Sequence, residues 1–397
     1  MEWQKATEKA SDYKSSTYEI PNRWLHIHYY EALNLLFRVE NALRMFVYTV
    51  LKNTFLDKWA ETQIVTLEEQ KTTISAIAKK RIKQAQDFGY LGYEISSPLM
   101  HLNSGELIRL ITSDEYWKYF ARYFKGRKEI IRNKLDEIGS IRNSLAHFRP
   151  IKEDDVEIIK QNAKHALVAV EACLSEMTAT LTIVPTNTKD DWYQKISILG
   201  SKSINVGLYQ SSSTDWVRIL INYKCHQISV SQYGDDWFSY EFLNLKTPSI
   251  LDAYCDISKY VTYVSEFMPH TKMPEDFNPE LRKQVSLVFF RQVLSDNLDA
   301  ILASLQDLLK KVTNEEELVM SDHLARGTFI EPSTVTAWLK QDVENPRWDI
   351  RSNMLKYPFK EDHPAEYWGD IGIYFHDFIA GTTKYPWMPS DISRFNI

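Results

Sequence analysis

Ile130-Ile131-Arg132-Asn133-Lys134-Leu135-Asp136-Glu137-Ile138-Gly139-Ser140-Ile141-Arg142-Asn143-Ser144-Leu145-Ala146-His147-Phe148 reads as five turns of one helix. At about 100° per residue, Ile130, Ile131, Leu135, Ile138, Ile141, Leu145 and Phe148 share an arc. The spacing therefore predicts an amphipathic helix with a single core stripe. Arg142 sits at the edge of the stripe, beside Leu135, and His147 lies about 140° away on the polar side. Gly139, Asn143 and Ala146 lie between them. Glycine costs a helix about 1 kcal/mol relative to alanine, and a helix keeps one where another backbone approaches. This face is thus expected to lie near a second helix, with Arg142 and His147 on the rims of a groove. Pro150 stops the helix, because the residue before a proline is pushed out of the helical region. His147 then falls in the last turn, where the macrodipole favours a cation.

Outward from this helix, about Trp24 to Ile183 reads as helix after helix. Leu33, Leu36, Phe37, Leu43, Val47, Val50 and Leu51 recur at helical spacing. Glu40 and Arg44 fall near the centre of that arc. Two charges there are costly unless paired, and their i, i+4 spacing lets them pair or line the groove beside Arg142. A lysine-rich helix is expected around Ile77 to Gln86, with an interruption at Phe88 to Gly92. Asn103-Ser104-Gly105-Glu106 has the form of a helix start. Lys125-Gly126 precedes the Arg142 helix, and a last helix is expected from about Glu153 to Leu181.

The polar, aperiodic segment Pro185 to Asp191 marks a boundary, giving a helical domain over 20–184 and a second domain over 191–397. In the second, Lys195–Leu199, Ile204–Tyr209, Val217–Tyr223, Gln227–Tyr233 and Trp237–Phe242 are short runs rich in β-branched and aromatic residues. They suggest an antiparallel β-meander. Asn278-Pro279-Glu280 is expected to start a helical pair through Leu287 and Phe290 to Leu309. From about Pro332 the chain is rich in prolines and aromatics and is expected to be irregular. The fold class is then a mainly α N-terminal bundle followed by an α+β domain.

The chain of 397 residues has a net charge of −6, which argues against a bulk electrostatic binder of nucleic acid and leaves room only for a local basic cleft. Its three cysteines, Cys173, Cys225 and Cys255, are far apart and odd in number, so a reducing compartment is expected. The opening residues carry no apolar run of signal-peptide length. No run approaches the roughly 20 apolar residues of a membrane span, and a cytoplasmic location without membrane partners is expected. His26-Ile27-His28 and the trio Asp370, His376 and Asp377 lack further ligands at metal spacing and read as structural. No cofactor or metal is expected.

Val39-Glu40-Asn41-Ala42-Leu43-Arg44, Trp117-Lys118-Tyr119-Phe120 and Ile141-Arg142-Asn143-Ser144-Leu145-Ala146-His147 together resemble the HEPN superfamily, over about Tyr29 to Cys173. Within it, the Swt-one-like HEPN domain of RNA-surveillance and prokaryotic conflict proteins is most similar. The resemblance implies a domain that dimerises so that two Arg–His motifs form one RNA-cutting cleft without metal. It makes Arg142, Asn143 and His147 the motif residues. Ser144, Glu40, Arg44, Arg149 and Arg132 are weaker candidates for substrate contact. RNA, a second copy of the chain and an antitoxin or trigger molecule are the implied partners, in a toxin or phage-defence setting. Two other readings compete: a non-catalytic HEPN interaction module, and a nucleotide-binding regulator of a separate enzyme. Residues after Ile183 resemble no known family.

Overall fold

The computed structural model describes residues 10–11, 17–18, 27–65, 71–87, 98–147, 149–178, 185–269, 279–322, 327–340, 347–352, 354 and 364–370. Two-residue strands β1 (Ala10–Ser11) and β2 (Thr17–Tyr18) pair near the start. The N-terminal half is otherwise mainly helical. Its spine is α1 (Ile27–Phe55), followed by a 3-10 turn at Leu56–Glu61. A small hairpin, β3 (Gln63–Val65) and β4 (Lys71–Thr73), leads into α2 (Ile74–Asp87). Then come α3 (Ser104–Ile111), α4 (Trp117–Phe120), α5 (Lys128–Ala146) and α6 (Glu153–Thr178).

Local sequence sets several of these boundaries. Asn103 caps α3: its side chain accepts from the Glu106 N–H, and the Glu106 carboxylate accepts from the Asn103 N–H, so two otherwise orphaned donors are satisfied. Glu153, Asp154 and Asp155 place negative charge in the first turn of α6, at the positive end of its dipole. Ile131, Leu135, Ile138, Ile141 and Leu145 of α5 are buried as the wheel requires. Ile130 is not, being exposed like Leu33 of α1. Both lie in the first turns of their helices. Phe148, Phe88 to Gly92, and Leu181 to Ile183 lie outside the described residues.

The C-terminal half is α+β, with antiparallel sheets. The stretch Lys195–Leu199, expected as a strand, instead follows and partly joins α7 (Asp191–Ile196), whose Trp192 and Ile196 are buried one turn apart. Next come β5 (Ile204–Gln210), β6 (Trp216–Cys225), β7 (Gln227–Gln232) and β8 (Trp237–Leu245). These do not form one meander. β5 and β6 belong to a five-stranded sheet, and β7 and β8 to a four-stranded one. Only His226 separates β6 from β7, so the chain passes from one sheet to the other at a corner.

Two short helices, α8 (Thr247–Ala253) and α9 (Cys255–Tyr260), lead to β9 (Tyr263–Phe267). The segment after Pro279 is strand β10 (Leu281–Phe290), not the expected helix. It is paired on both sides, by β6 and β9, and almost wholly buried from Val285 to Phe289. A strand buried on both faces loses the alternation that distinguishes it from a buried helix. Helix begins only at α10 (Arg291–Asp296), and α11 (Leu298–Asp322) continues past Leu309.

The region from Pro332 is also more regular than expected: β11 (Ile330–Lys340), β12 (Arg347–Ser352) and β13 (Tyr367–Asp370) complete the sheets. Pro332 is tolerated because, among the described residues, β12 covers β11 only from Val335 onward. The sheet orders are β13-β9-β10-β6-β5 and β12-β11-β8-β7. All neighbours are antiparallel except β13 and β9. The apolar side of α11, including Leu305, Leu308 and Val312, shares one core with both sheets.

A buried ion pair within the five-stranded sheet reaches across to the other sheet through its lysine. Lys283 Nζ lies 2.9 Å from Glu266 and donates to the Leu245 carbonyl at 2.6 Å. Tyr367 donates to Glu266 at 3.0 Å, and Thr247 donates to the same carboxylate. A second set of contacts ties the sheets to the helices. Trp216, Tyr263 and Val288 lie in the apolar cluster of the bundle. Tyr48 of α1 donates to the Thr262 carbonyl at 2.7 Å, and Thr262 donates to Asn53 at 2.6 Å. Lys52, one turn on, is buried, pairs with Glu366 and donates to the Ser258 carbonyl at 2.8 Å. Arg218 of β6 is fully buried and donates to the carbonyl of Thr178 at the end of α6. Burial pushes its pKa down to about 10. Among the described residues, no helix is long and apolar enough to cross a membrane.

Lys52→Met strands the Glu366 carboxylate in the interior. Urea unfolding is expected to show a loss of about 3–5 kcal/mol. Adding Glu366→Gln should recover much of it, since a neutral amide is cheaper to bury than an unpaired charge. A loss below about 1 kcal/mol in the single variant would show that the pair does not anchor this interface.

Candidate functional site

α1 and α5 cross so that the charged residues of their apolar arcs meet. The Glu40 carboxylate lies between two guanidinium groups. Arg44, one turn along α1, pairs with one oxygen. Arg142 Nε of α5 lies 3.6 Å from the other. The hydroxyl of Ser104, the first residue of α3, donates to that same second oxygen. Arg44 is held further by Asn41 Oδ1 at 3.0 Å and the Leu102 carbonyl at 3.0 Å, while its Nε has no partner. One carboxylate thus faces two cations, and the cluster keeps an excess positive charge. Burial lowers the Arg44 pKa from its ordinary value; the Glu40 charge opposes the shift and the Arg142 charge adds to it.

The three charged side chains are unequally accessible. Glu40 and Arg44 are 14% and 12% exposed, whereas Arg142 is 39% exposed. The inner edge of the Arg142 guanidinium is therefore held by a fixed carboxylate while part of its fork faces solvent. Beneath it, Leu36, Val39, Leu43, Ile108, Leu135 and Ile138 close the space between the helices to about 10 Å³. That is room for about one water molecule, so any substrate must lie over the cluster and not within it.

Gly139 belongs to this contact. A Cβ there would stand 3.8 Å from Ile108 Cδ1 of α3. The second helix expected to approach Gly139 is thus α3 of the same chain. A leucine at 139 would press on α3 before reaching any second copy. Ala146, by contrast, is exposed.

The other motif residues face outward. Asn143 and His147 are exposed, and Ser144 is half-buried. His147 closes α5: its N–H donates to the Asn143 carbonyl at 3.2 Å, and its own backbone has left the helix. The Arg149 N–H donates to the Ser144 carbonyl at 2.9 Å, folding the chain back over the helix end. Its side chain is exposed. Arg132 lies four turns earlier, exposed and 3.6 Å from Asp136, too far along the helix to share a contact with His147. The structure therefore gathers Arg142, Glu40, Arg44 and Ser104 into one cluster. It leaves Asn143, His147 and Arg149 at the exposed helix end and separates Arg132 from both. Ser104 escaped the sequence reading as a site residue because its place in a capping motif already accounted for it.

One depression, of about 570 Å³, is lined by Asp190, Asp191, Asp296 and Asp299 with Lys195. It is acidic, lies in the C-terminal half and suits no polyanion. Ser203, His226 and Glu316 also meet: Ser203 donates to Glu316 at 2.8 Å, and His226 Nε2 lies 2.7 Å from Glu316 and 3.2 Å from Ser203. Carboxylate and hydroxyl share one imidazole nitrogen, so no relay through the ring exists. The trio joins the β6–β7 corner to α11. His28 is half-buried in α1; His26, His376 and Asp377 lie outside the described residues. Among those described, no group of His, Cys, Asp and Glu could hold a metal ion. No family model matches the chain, and no curated protein or solved structure is significantly similar to it.

Glu40→Ala leaves the buried Arg44 without its carboxylate, and urea unfolding is expected to lose about 3–5 kcal/mol. His147→Ala removes an exposed side chain and should change stability by less than about 0.5 kcal/mol. Equal losses in the two variants would contradict the division between a buried cluster and a free helix end.

Proposed function

We propose that the chain is an endoribonuclease of HEPN type that cuts RNA without a metal, using Arg142, Asn143 and His147 at the end of α5. The observation that carries this reading is the contact between Glu40 of α1 and Arg142 of α5. It pairs one side of a guanidinium that stays 39% exposed, beside a helix end where His147 is exposed. A planar fork fixed in this way suits the non-bridging oxygens of a phosphodiester. RNA brings its own nucleophile. The 2′-oxygen attacks phosphorus as its proton passes to a base. The bond to the 5′-oxygen breaks, and that oxygen receives a proton. The products are a 2′,3′-cyclic phosphate and a free 5′-hydroxyl.

Imidazole is suited to both proton transfers near neutral pH. One chain offers a single His147, about 140° around the helix from Arg142. A second copy, docked at the exposed end of α5 near Ala146, would supply the other imidazole. The two His147 side chains then divide the base and acid roles while the Arg142 forks neutralise the phosphoryl charge. Asn143, one turn before His147, can orient the ring or bind phosphate. In this reading the C-terminal α+β half senses a trigger or restrains the nuclease, in a toxin or phage-defence setting.

The specific rival is a non-catalytic module in which Arg142 serves only the Glu40 cluster. Cleavage of single-stranded RNA in EDTA separates the two. His147→Ala is expected to reduce the rate by about 10²–10⁴-fold with its melting temperature unchanged. Arg142→Ala should be comparably slow, and Arg142→Lys should rescue poorly because a point charge does not replace a planar fork. Full activity in folded His147→Ala protein would refute the mechanism. Wild-type protein that never cuts RNA with its partners supplied would favour the module.

A further inference from the structure

One face of the four-stranded sheet looks into the core it shares with α11. Phe238, Tyr240 and Phe242 of β8 and Val335 and Ala337 of β11 lie on that side. Successive side chains of a strand point to opposite faces. Trp237 and Ser239 of β8, and their partners Trp338 and Thr336 of β11, therefore stand on the outer face. The strand registers arrange this face in rows. Gln232 is opposite Phe238, so Tyr233 is opposite Trp237, and its N–H donates to the Trp237 carbonyl at 2.8 Å. One row thus runs Tyr233, Trp237, Trp338 and ends at Asp349 of β12. The row beside it runs Ser231, Ser239, Thr336 and ends at Arg351.

The aromatic row is left in water. Tyr233 is 62% exposed and Trp237 46% exposed. The indoles of Trp237 and Trp338 lie 6.1 Å apart and 28° from parallel, so each holds the other in place. Cross-strand stacking accounts for that pair. It does not account for Tyr233, which continues the row without a ring contact. Charge around the row narrows the class of ligand. Asp349 closes this row, Arg351 the next, and Glu241 lies one row further. On the other flank the register sets Lys340 beside Arg347, close to Asp235 and Asp236 of the β7–β8 turn, where the Leu339 N–H donates to the Asp236 carbonyl at 2.9 Å. Neither sign prevails. A nucleic-acid strand needs a run of cations along its backbone, and a basic peptide needs a run of carboxylates. Hydroxyls and interspersed charges beside exposed rings suit a neutral, polyhydroxylated molecule.

We propose that the outer face of the four-stranded sheet binds a neutral glycan, with its pyranose rings stacked along Tyr233, Trp237 and Trp338. A pyranose turns an apolar C–H face to an aromatic ring, while the hydroxyls at its rim exchange hydrogen bonds with polar groups. Tyrosine and tryptophan suit such a contact because each joins a large apolar body to a polar tip. Neighbouring strands stand about 4.8 Å apart, close to the length of one sugar residue in a linear chain. A glycan lying across the strands therefore brings successive rings to successive aromatic side chains. Ser239, Thr336 and Arg351, one row away, serve its hydroxyls. This surface lies in the C-terminal half and does not depend on the RNA reading.

Affinity electrophoresis of the full chain tests it, in native gels containing hydroxyethylcellulose, starch, arabinoxylan or glycol chitin, with poly(U) as the anionic counterpart. At least one neutral polymer should retard the wild-type protein. Trp237→Ala should raise the dissociation constant by about tenfold or more, equivalent to about 1.4 kcal/mol. Tyr233→Ala should act in the same direction and, at an exposed turn position, decides the matter if the tryptophan variant fails to fold. Tyr233→Phe should keep binding, because stacking needs the ring and not its hydroxyl. Ile198→Ser, at an exposed site elsewhere, should bind as the wild type does. Absence of retardation by every neutral polymer overturns the proposal. So does retardation undiminished in folded Trp237→Ala or Tyr233→Ala protein. Retardation by poly(U) that is lost in Tyr233→Ala would make the row a nucleic-acid platform and overturns it equally.

Discussion

A carboxylate in the apolar arc of a helix must be met by cations, and Glu40 is met from three helices at once. Arg44 comes from the same helix, Arg142 from α5 and the Ser104 hydroxyl from α3. Burying that carboxylate unpaired would cost several kcal/mol. The three helices are therefore held in the one register that satisfies it. Lys52 repeats the logic with the opposite sign, twelve residues or about 18 Å further along α1. Its partner, Glu366, comes from the far end of the chain. The two ends of one helix thus fix the bundle internally and fix the bundle to the sheets.

This constraint divides the motif into two kinds of residue. Arg142 is anchored: its position is set by a carboxylate that is itself pinned by Arg44 and Ser104. Among the described residues, His147 is placed by the backbone at the end of α5. A phosphate-binding fork benefits from being preorganised, since its donors need not reorganise as charge develops. A proton-transfer group needs solvent and substrate access. The small space below the cluster and the exposed helix end above it fit that division in the proposed reading, in which RNA would lie at the rim of the bundle and away from the acidic depression in the C-terminal half.

Elements with strong local signals were legible in the sequence. The α3 start at Asn103 to Glu106, the stripe of α5, the pairing of Glu40 with Arg44 and the strands β5 to β8 all follow from spacing and capping chemistry. What escaped was set by tertiary context. β10 reads like a helix because Val285 to Phe289 are buried on both faces and do not alternate. The corner at His226 cannot be told from a hairpin, because which sheet a strand joins depends on partners more than fifty residues away, such as Leu281 and Pro332. Pro332 itself discouraged a strand assignment that the late start of β12 permits. At the site, periodicity placed Glu40, Arg44 and Arg142 near one groove. It could not show that Gly139 is matched to Ile108 of the same chain, because the angle of α3 is not written in either helix.

The central claim is that the substrate supplies the nucleophile to a site built on Arg142 and His147. It is tested most directly with a single-stranded RNA carrying one preferred cleavage position, compared with the same strand in which only that position lacks its 2′-hydroxyl. The account predicts cleavage of the first to a 2′,3′-cyclic phosphate, and a deoxy strand that binds comparably but is not cut there. Cleavage of the deoxy strand at the same position and a comparable rate would contradict it, because the attacking oxygen would then have to come from water.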